Sequence, residues 1–111
     1  MAFRQSTLLL NQILHHEIIP SKVSSNAKTV VFLHGLLGSG KNLKTLAKKL
    51  QDQHPAISPL LLDLRGHGQS PGMEQIKQTT NLRDCAKDVI STLRHLNLVN
   101  QDSPIGIVGH R

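Results

Sequence analysis

Four stretches of this 111-residue sequence carry side chains whose types and spacing could do chemistry, and a single cysteine, Cys85, stands apart from them. Gly35-Leu36-Leu37-Gly38-Ser39-Gly40-Lys41 fits G-x-x-x-x-G-K, in which backbone N–H groups cradle phosphates and the lysine reaches over them. Asn42 follows where that loop needs a hydroxyl for Mg²⁺, and an amide oxygen replaces it poorly. A nucleotide site would also leave Asp63-Leu64-Arg65-Gly66-His67-Gly68-Gln69-Ser70 and Gly109-His110-Arg111 without a task. His16-Glu17-Ile18-Ile19-Pro20 opens like the zinc motif H-E-x-x-H but puts proline at the second ligand, so no metal site is expected. Cys85 falls on the apolar face of a helical pattern and reads as a small buried hydrophobe, not a reactive thiol.

The elements around these stretches alternate. Thr29-Val30-Val31-Phe32-Leu33 is β-branched and aromatic and runs into glycines, as a buried strand does. Leu43, Leu46, Ala47 and Leu50 recur at helical spacing, which predicts a helix over residues 43–52 with Asn42 as N-cap. The apolar run from Pro59 to Leu64 predicts a second strand. Leu82, Cys85, Ala86, Val89, Ile90, Leu93 and Leu96 mark a second helix, with Asn81 and Asp84 spaced as a capping box. Pro104 to Gly109 reads as a third strand, and residues 7–19 as one or two antiparallel strands before the first. Strand–helix–strand–helix–strand with continuously apolar strands predicts an α/β fold, a mainly parallel sheet flanked by helices. In such sheets ligands sit at the carboxyl ends of the strands, where all three polar, glycine-rich stretches fall.

Composition narrows the function classes. The formal net charge is +6, from 13 Lys+Arg against 7 Asp+Glu. Two Phe and no Tyr or Trp leave almost no stacking platform for unpaired bases. The densest basic set, Lys41, Lys44, Lys48 and Lys49, lies in one amphipathic segment that a solvated helix face explains, so no nucleic-acid partner is expected. No apolar run approaches the roughly 18–20 residues of a membrane span. One cysteine excludes an internal disulfide and fits the cell interior. Residues 1–28 hold one acidic residue (Glu17) and three basic ones (Arg4, Lys22, Lys28), which would suit a mitochondrial presequence. Residues 7–19 are wanted for the first strands, however, so a cytoplasmic location is the expectation and the mitochondrion the alternative.

His34-Gly35-Leu36-Leu37-Gly38-Ser39 with Asn42, then Asp63 to Ser70, then Gly109-His110, resemble the α/β-hydrolase superfamily. Within it they are most similar to a small esterase branch of bacteria, mitochondria and plants. The likeness spans roughly residues 29–110 and accounts for Asn42. It implies a serine ester or thioester hydrolase acting on small acyl substrates without a cofactor. One oxyanion donor comes from the loop after the first of these strands. By resemblance that donor is the N–H of Leu36, in a loop supported by His34, Gly35 and Gly38. The resemblance makes Asp63, Arg65, Gly66, Gly68, Ser70, Gly109 and His110 structural motif residues. Asp63 is not the catalytic acid, because the fold's triad runs nucleophile, acid, histidine and Asp63 precedes the nucleophile.

The nucleophile elbow of this fold is G-x-S-x-G. Here Arg111 occupies the serine position, and a guanidinium stays protonated and is no nucleophile. The expectation is therefore a single incomplete domain over residues 1–111, cut at the nucleophile strand and inactive: residues 1–28 supply early strands or a presequence, and 29–111 the β-α-β-α-β core. A strand ending there would leave Ile105, Ile107 and Val108 on a raw sheet edge, open to pairing with itself or a partner.

Overall fold

The apolar runs become strands, and the helical patterns cover them on both sides. A computed structural model of the chain describes residues 12–23, 27–35, 38–70, 82–99 and 104–110. Strand β1 (His16–Ile18) is followed by β2 (Lys28–Leu33), a 3-10 turn (Gly40–Leu43) and α1 (Lys44–Gln53). Then come β3 (Ile57–Leu62), α2 (Leu82–His95) and β4 (Gly106–Gly109). The sheet order is β1-β3-β2-β4. β2 runs parallel to both β3 and β4, and β1 lies antiparallel on β3 with His16 opposite Leu62. This is the expected α/β arrangement, with an antiparallel strand ahead of a β-α-β-α-β unit.

Alternation along the strands explains why they read as unbroken apolar runs. Val31 of β2 and Leu60 and Leu62 of β3 pack on one face with Leu14 and with Val89 and Leu93 of α2. Phe32 and Leu61 point to the other face, against Leu43 of the 3-10 turn and Ala47 of α1. Each side chain thus finds a helix whichever way it points, as in a sheet buried on both sides. α1 is also clipped to the sheet by its buried Gln51, whose Nε2 donates to the carbonyls of Pro20 (2.7 Å) and Ile57 (3.0 Å).

Three local expectations need correction. Asn42 does not cap α1; it sits in the 3-10 turn, and its Oδ1 accepts the Ser39 N–H at 2.7 Å. The tighter turn lets the chain leave the loop early and delays the α-helix to Lys44. Leu82 is 89% exposed and Ile90 45%, so the inward face of α2 is not the fully apolar one expected. Asp88 and Thr92 are instead buried beside Val89 and Leu93, because they hold the segment before β1. Finally, β4 is an edge strand with Ile107 66% exposed, yet Ile105 and Val108 are partly buried against the two cores. Asn81, the expected cap of α2, lies outside the described residues.

Candidate active site

Because β2, β3 and β4 are parallel, their last residues share one edge of the sheet. His34 follows β2, Asp63 follows β3 and His110 follows β4. The His110 N–H donates to the carbonyl of Leu33 at 3.0 Å, which ties the end of β4 to the root of the His34-Gly35 loop.

His34 is buried and makes two bonds. The Leu64 N–H donates to its Nε2 at 2.9 Å, so that nitrogen carries no proton; Nδ1 donates to the carbonyl of Gly35 at 2.7 Å. The neutral imidazole thereby fastens the loop after β2 to the loop after β3. Its ring faces that of His67 at 5.1 Å and a 52° tilt. His67 donates from Nδ1 to the Arg65 carbonyl at 3.0 Å.

Asp63 organises the second loop. Its Oδ1 accepts the Gly40 N–H at 2.6 Å and its Oδ2 the Gln69 N–H at 2.9 Å. The Ser70 hydroxyl donates to the Asp63 carbonyl and accepts the His15 N–H at 2.9 Å. Gly66 and Gly68 adopt positive φ, +73° and +52°. At Gly68 a Cβ would overlap the Asp63 carboxylate, so this position needs glycine for space as well as for φ. Gly38 also turns tightly: its N–H donates to the Gly35 carbonyl at 3.0 Å, the oxygen that also takes the His34 ring proton.

Arg65 turns away from the strand ends and into the protein. Its Nε and Nη2 donate to Asp88 Oδ2 (2.5 Å) and Oδ1 (2.7 Å) of α2, with both side chains sealed from solvent. The bond to Asp88 pushes the guanidinium pKa up, against the opposing effect of burial. Asp88 Oδ1 also takes the Gln12 N–H at 3.1 Å. Thr92 Oγ1 accepts the Leu14 N–H at 2.9 Å and donates to the Asp88 carbonyl. Sequence reasoning missed Asp88 and Thr92; the available signal was a pair of polar residues four apart inside an apolar stripe. Cys85 is half-buried, and burial pushes its thiol pKa up.

The phosphate-cradle reading loses its central donor, because the Gly40 N–H is already taken by the Asp63 carboxylate. Among the described residues no group of three or more His, Cys, Asp or Glu is placed to hold a metal ion. No helix among them is long and apolar enough to cross a membrane. Leu36, the expected oxyanion donor, and Arg111, at the expected nucleophile position, lie outside the described residues. Gly109 and His110 are exposed at the open end of β4, and among the described residues nothing beyond its chain neighbours lies within 4 Å of where a Cβ on Gly109 would sit.

A mainly parallel sheet covered on both faces, with its polar loops gathered at the carboxyl edge, is an α/β arrangement, and its match to a solved esterase and to a hydrolase family makes it part of an α/β-hydrolase fold. Within that class the chain belongs to the Hydrolase_4 family, described as serine aminopeptidase S33, whose pattern matches residues 24–110. A Haemophilus influenzae protein provisionally named an esterase/lipase is 32% identical over 103 residues, covering 93% of this chain and 32% of its own length. An esterase from a marine microorganism superposes with a TM-score of 0.67 at 28% identity, over 88% of this chain and 32% of its own. The Est1E protein of Butyrivibrio proteoclasticus, solved with ferulic acid, gives a TM-score of 0.66 at 17% identity over 87% and 38%, a likeness of fold. The chain thus spans about a third of the length of the relatives it matches.

Proposed function

We propose that residues 1–111 form the oxyanion-side part of a serine hydrolase that cleaves small acyl esters or thioesters. The observation that carries this is the fastening of the β2, β3 and β4 ends to one another through His34 and His110. Hydrolysis of an ester passes through a tetrahedral intermediate whose oxygen becomes negative, and each fixed N–H aimed at it contributes roughly 3–4 kcal/mol. The Leu36 N–H would be one such donor, on a loop rooted at His34, Gly35 and Gly38. The family description names a peptidase and the named relatives are esterases. Both reactions transfer an acyl group to serine, and the esterase relatives favour the ester.

No serine stands in the elbow position within these residues, and Arg111 cannot attack a carbonyl. Residues 1–111 by themselves should therefore not turn over an ester. We place the protein in the cytoplasm, with the mitochondrion as the alternative, to be read by fractionation. The test is to sequence transcript and genomic DNA across codon 111 and assay any longer product on a short acyl ester and a thioester. A frame continuing through Gly-His-Ser-x-Gly whose product turns over either substrate supports the proposal; a longer product with that elbow and no turnover contradicts it.

A non-enzymatic reading is favoured by one feature, the exposed Ile107 on edge strand β4. It would have the chain pair this edge with a second protein, and a stoichiometric partner that leaves on substitution of Ile107 by lysine would support it.

A further inference from the structure

Three hydrogen bonds hold His67 in place. Its N–H donates to the Leu64 carbonyl at 2.9 Å, its carbonyl accepts the Ser70 N–H at 2.9 Å, and its Nδ1 donates to the Arg65 carbonyl at 3.0 Å. Arg65 is in turn locked into Asp88 of α2. The remaining polar atom of the ring, Nε2, is buried and has no donor among the described residues. A buried acceptor left bare is costly, so an imidazole here calls for a reason other than hydrogen bonding on that side. What the ring meets is the ring of His34, 5.1 Å away at a 52° tilt, within the range of attractive aromatic pairs.

His34 is where such support has a consequence. Its Nδ1 and the Gly38 N–H both donate to the Gly35 carbonyl, at 2.7 and 3.0 Å. That carbonyl belongs to the same planar peptide unit as the Leu36 N–H, the oxyanion donor of the proposed function. Holding one end of a rigid unit limits the swing of the other. The hold requires one tautomer of His34, with its proton on Nδ1 and the lone pair of Nε2 turned to the Leu64 N–H.

We propose that His67 is a positioning residue of the ester-cleaving site: its ring backs that of His34 and keeps it in the orientation and tautomer that fix the Gly35 peptide. The effect on turnover rests on the hydrolase reading; the support of His34 by His67 is a property of residues 1–111 themselves.

The experiment reads the imidazole nitrogens of the 111-residue chain by long-range ¹H–¹⁵N NMR, together with amide exchange at Leu64. The native chain should show His34 protonated on Nδ1 alone. His67→Ala should mix the two His34 tautomers and quicken exchange at Leu64 by about 2- to 12-fold, the worth of one aromatic pair. His67→Phe returns a ring to the same place and should restore both signals, although it cannot bond the Arg65 carbonyl. Should the alanine variant fail to fold, His67→Leu, which fills the space without a ring, should give the same disturbance. A His34 tautomer and a Leu64 exchange rate that stay native in the variant without a ring, or that the phenylalanine does not restore, would overturn the proposal. In a longer product that turns over ester, His67→Ala should lower kcat by about the same 2- to 12-fold with KM little changed, and an unchanged kcat would also overturn it. A longer product without turnover contradicts the hydrolase reading, and the NMR of His34 still decides the support by His67.

Discussion

Arg65 and Asp88 stand 23 positions apart in the chain and meet in a two-pronged ion pair with neither side chain reaching solvent. The pair joins the loop after β3 to α2, and through Asp88 Oδ1 it also reaches Gln12 at the approach to β1. One carboxylate therefore coordinates three separate parts of the chain.

Removing one partner should be far worse than removing both. Asp88→Ala would leave a buried guanidinium without its carboxylate, a loss of about 3–5 kcal/mol for such pairs. Replacing the pair by apolar residues of similar volume, as in Arg65→Met with Asp88→Leu, should recover most of that loss. Urea unfolding of the two variants checks it; equal destabilisation would deny the ion pair its role.

The pH dependence from Arg65 has a definite sign. Its folded pKa is raised above the ordinary guanidinium value by the bond to Asp88, so its contribution is fully present below the unfolded value and fades only as pH climbs through the folded one. Stability contributed by this group should therefore be flat across neutral pH. Cys85, also raised from an ordinary 9.0, should stay a thiol at pH 8 and alkylate more slowly in the folded chain than in urea. Equal alkylation rates would show that burial does not protect it.

Two glycines make opposite predictions. Gly68→Ala meets both a positive φ and the Asp63 carboxylate, and should destabilise by about 1–3 kcal/mol. Gly109→Ala meets nothing within 4 Å among the described residues and should change stability by less than about 0.5 kcal/mol. Thermal melts of both variants distinguish steric necessity from mere position in a motif.

Asp63→Asn keeps one acceptor and turns the other atom into a donor facing a backbone N–H. Either the Gly40 or the Gln69 amide must then lose its partner, at about 1–3 kcal/mol. Hydrogen exchange should quicken at one of those two amides and not at the other, while that of Leu64, held by His34, should not change.

Much of this was legible beforehand, for reasons visible in particular residues. The β2 and β3 strands announce themselves because Val31 and Phe32, or Leu61 and Leu62, are buried on opposite faces, so no polar residue interrupts them. The gathering of His34, Asp63 and His110 follows from parallel strands alone. The network behind them was harder to see. Asp88 and Thr92 contribute through bonds to residues more than 70 positions away, and no local periodicity reports such a partner. The same polar pair explains why Ile90 sits half-exposed on a helix whose inward face was expected to be wholly apolar. Asn42 misled for a related reason, since its cap bond reaches back to Ser39 instead of opening α1.

The most direct test of the central claim is to assay the purified 111-residue chain on p-nitrophenyl acetate and to treat it with a serine-directed fluorophosphonate probe. An oxyanion-side part without a nucleophile should show neither turnover above background nor covalent labelling. Turnover that the probe abolishes would mean that a serine within these residues attacks the ester, and would contradict the account.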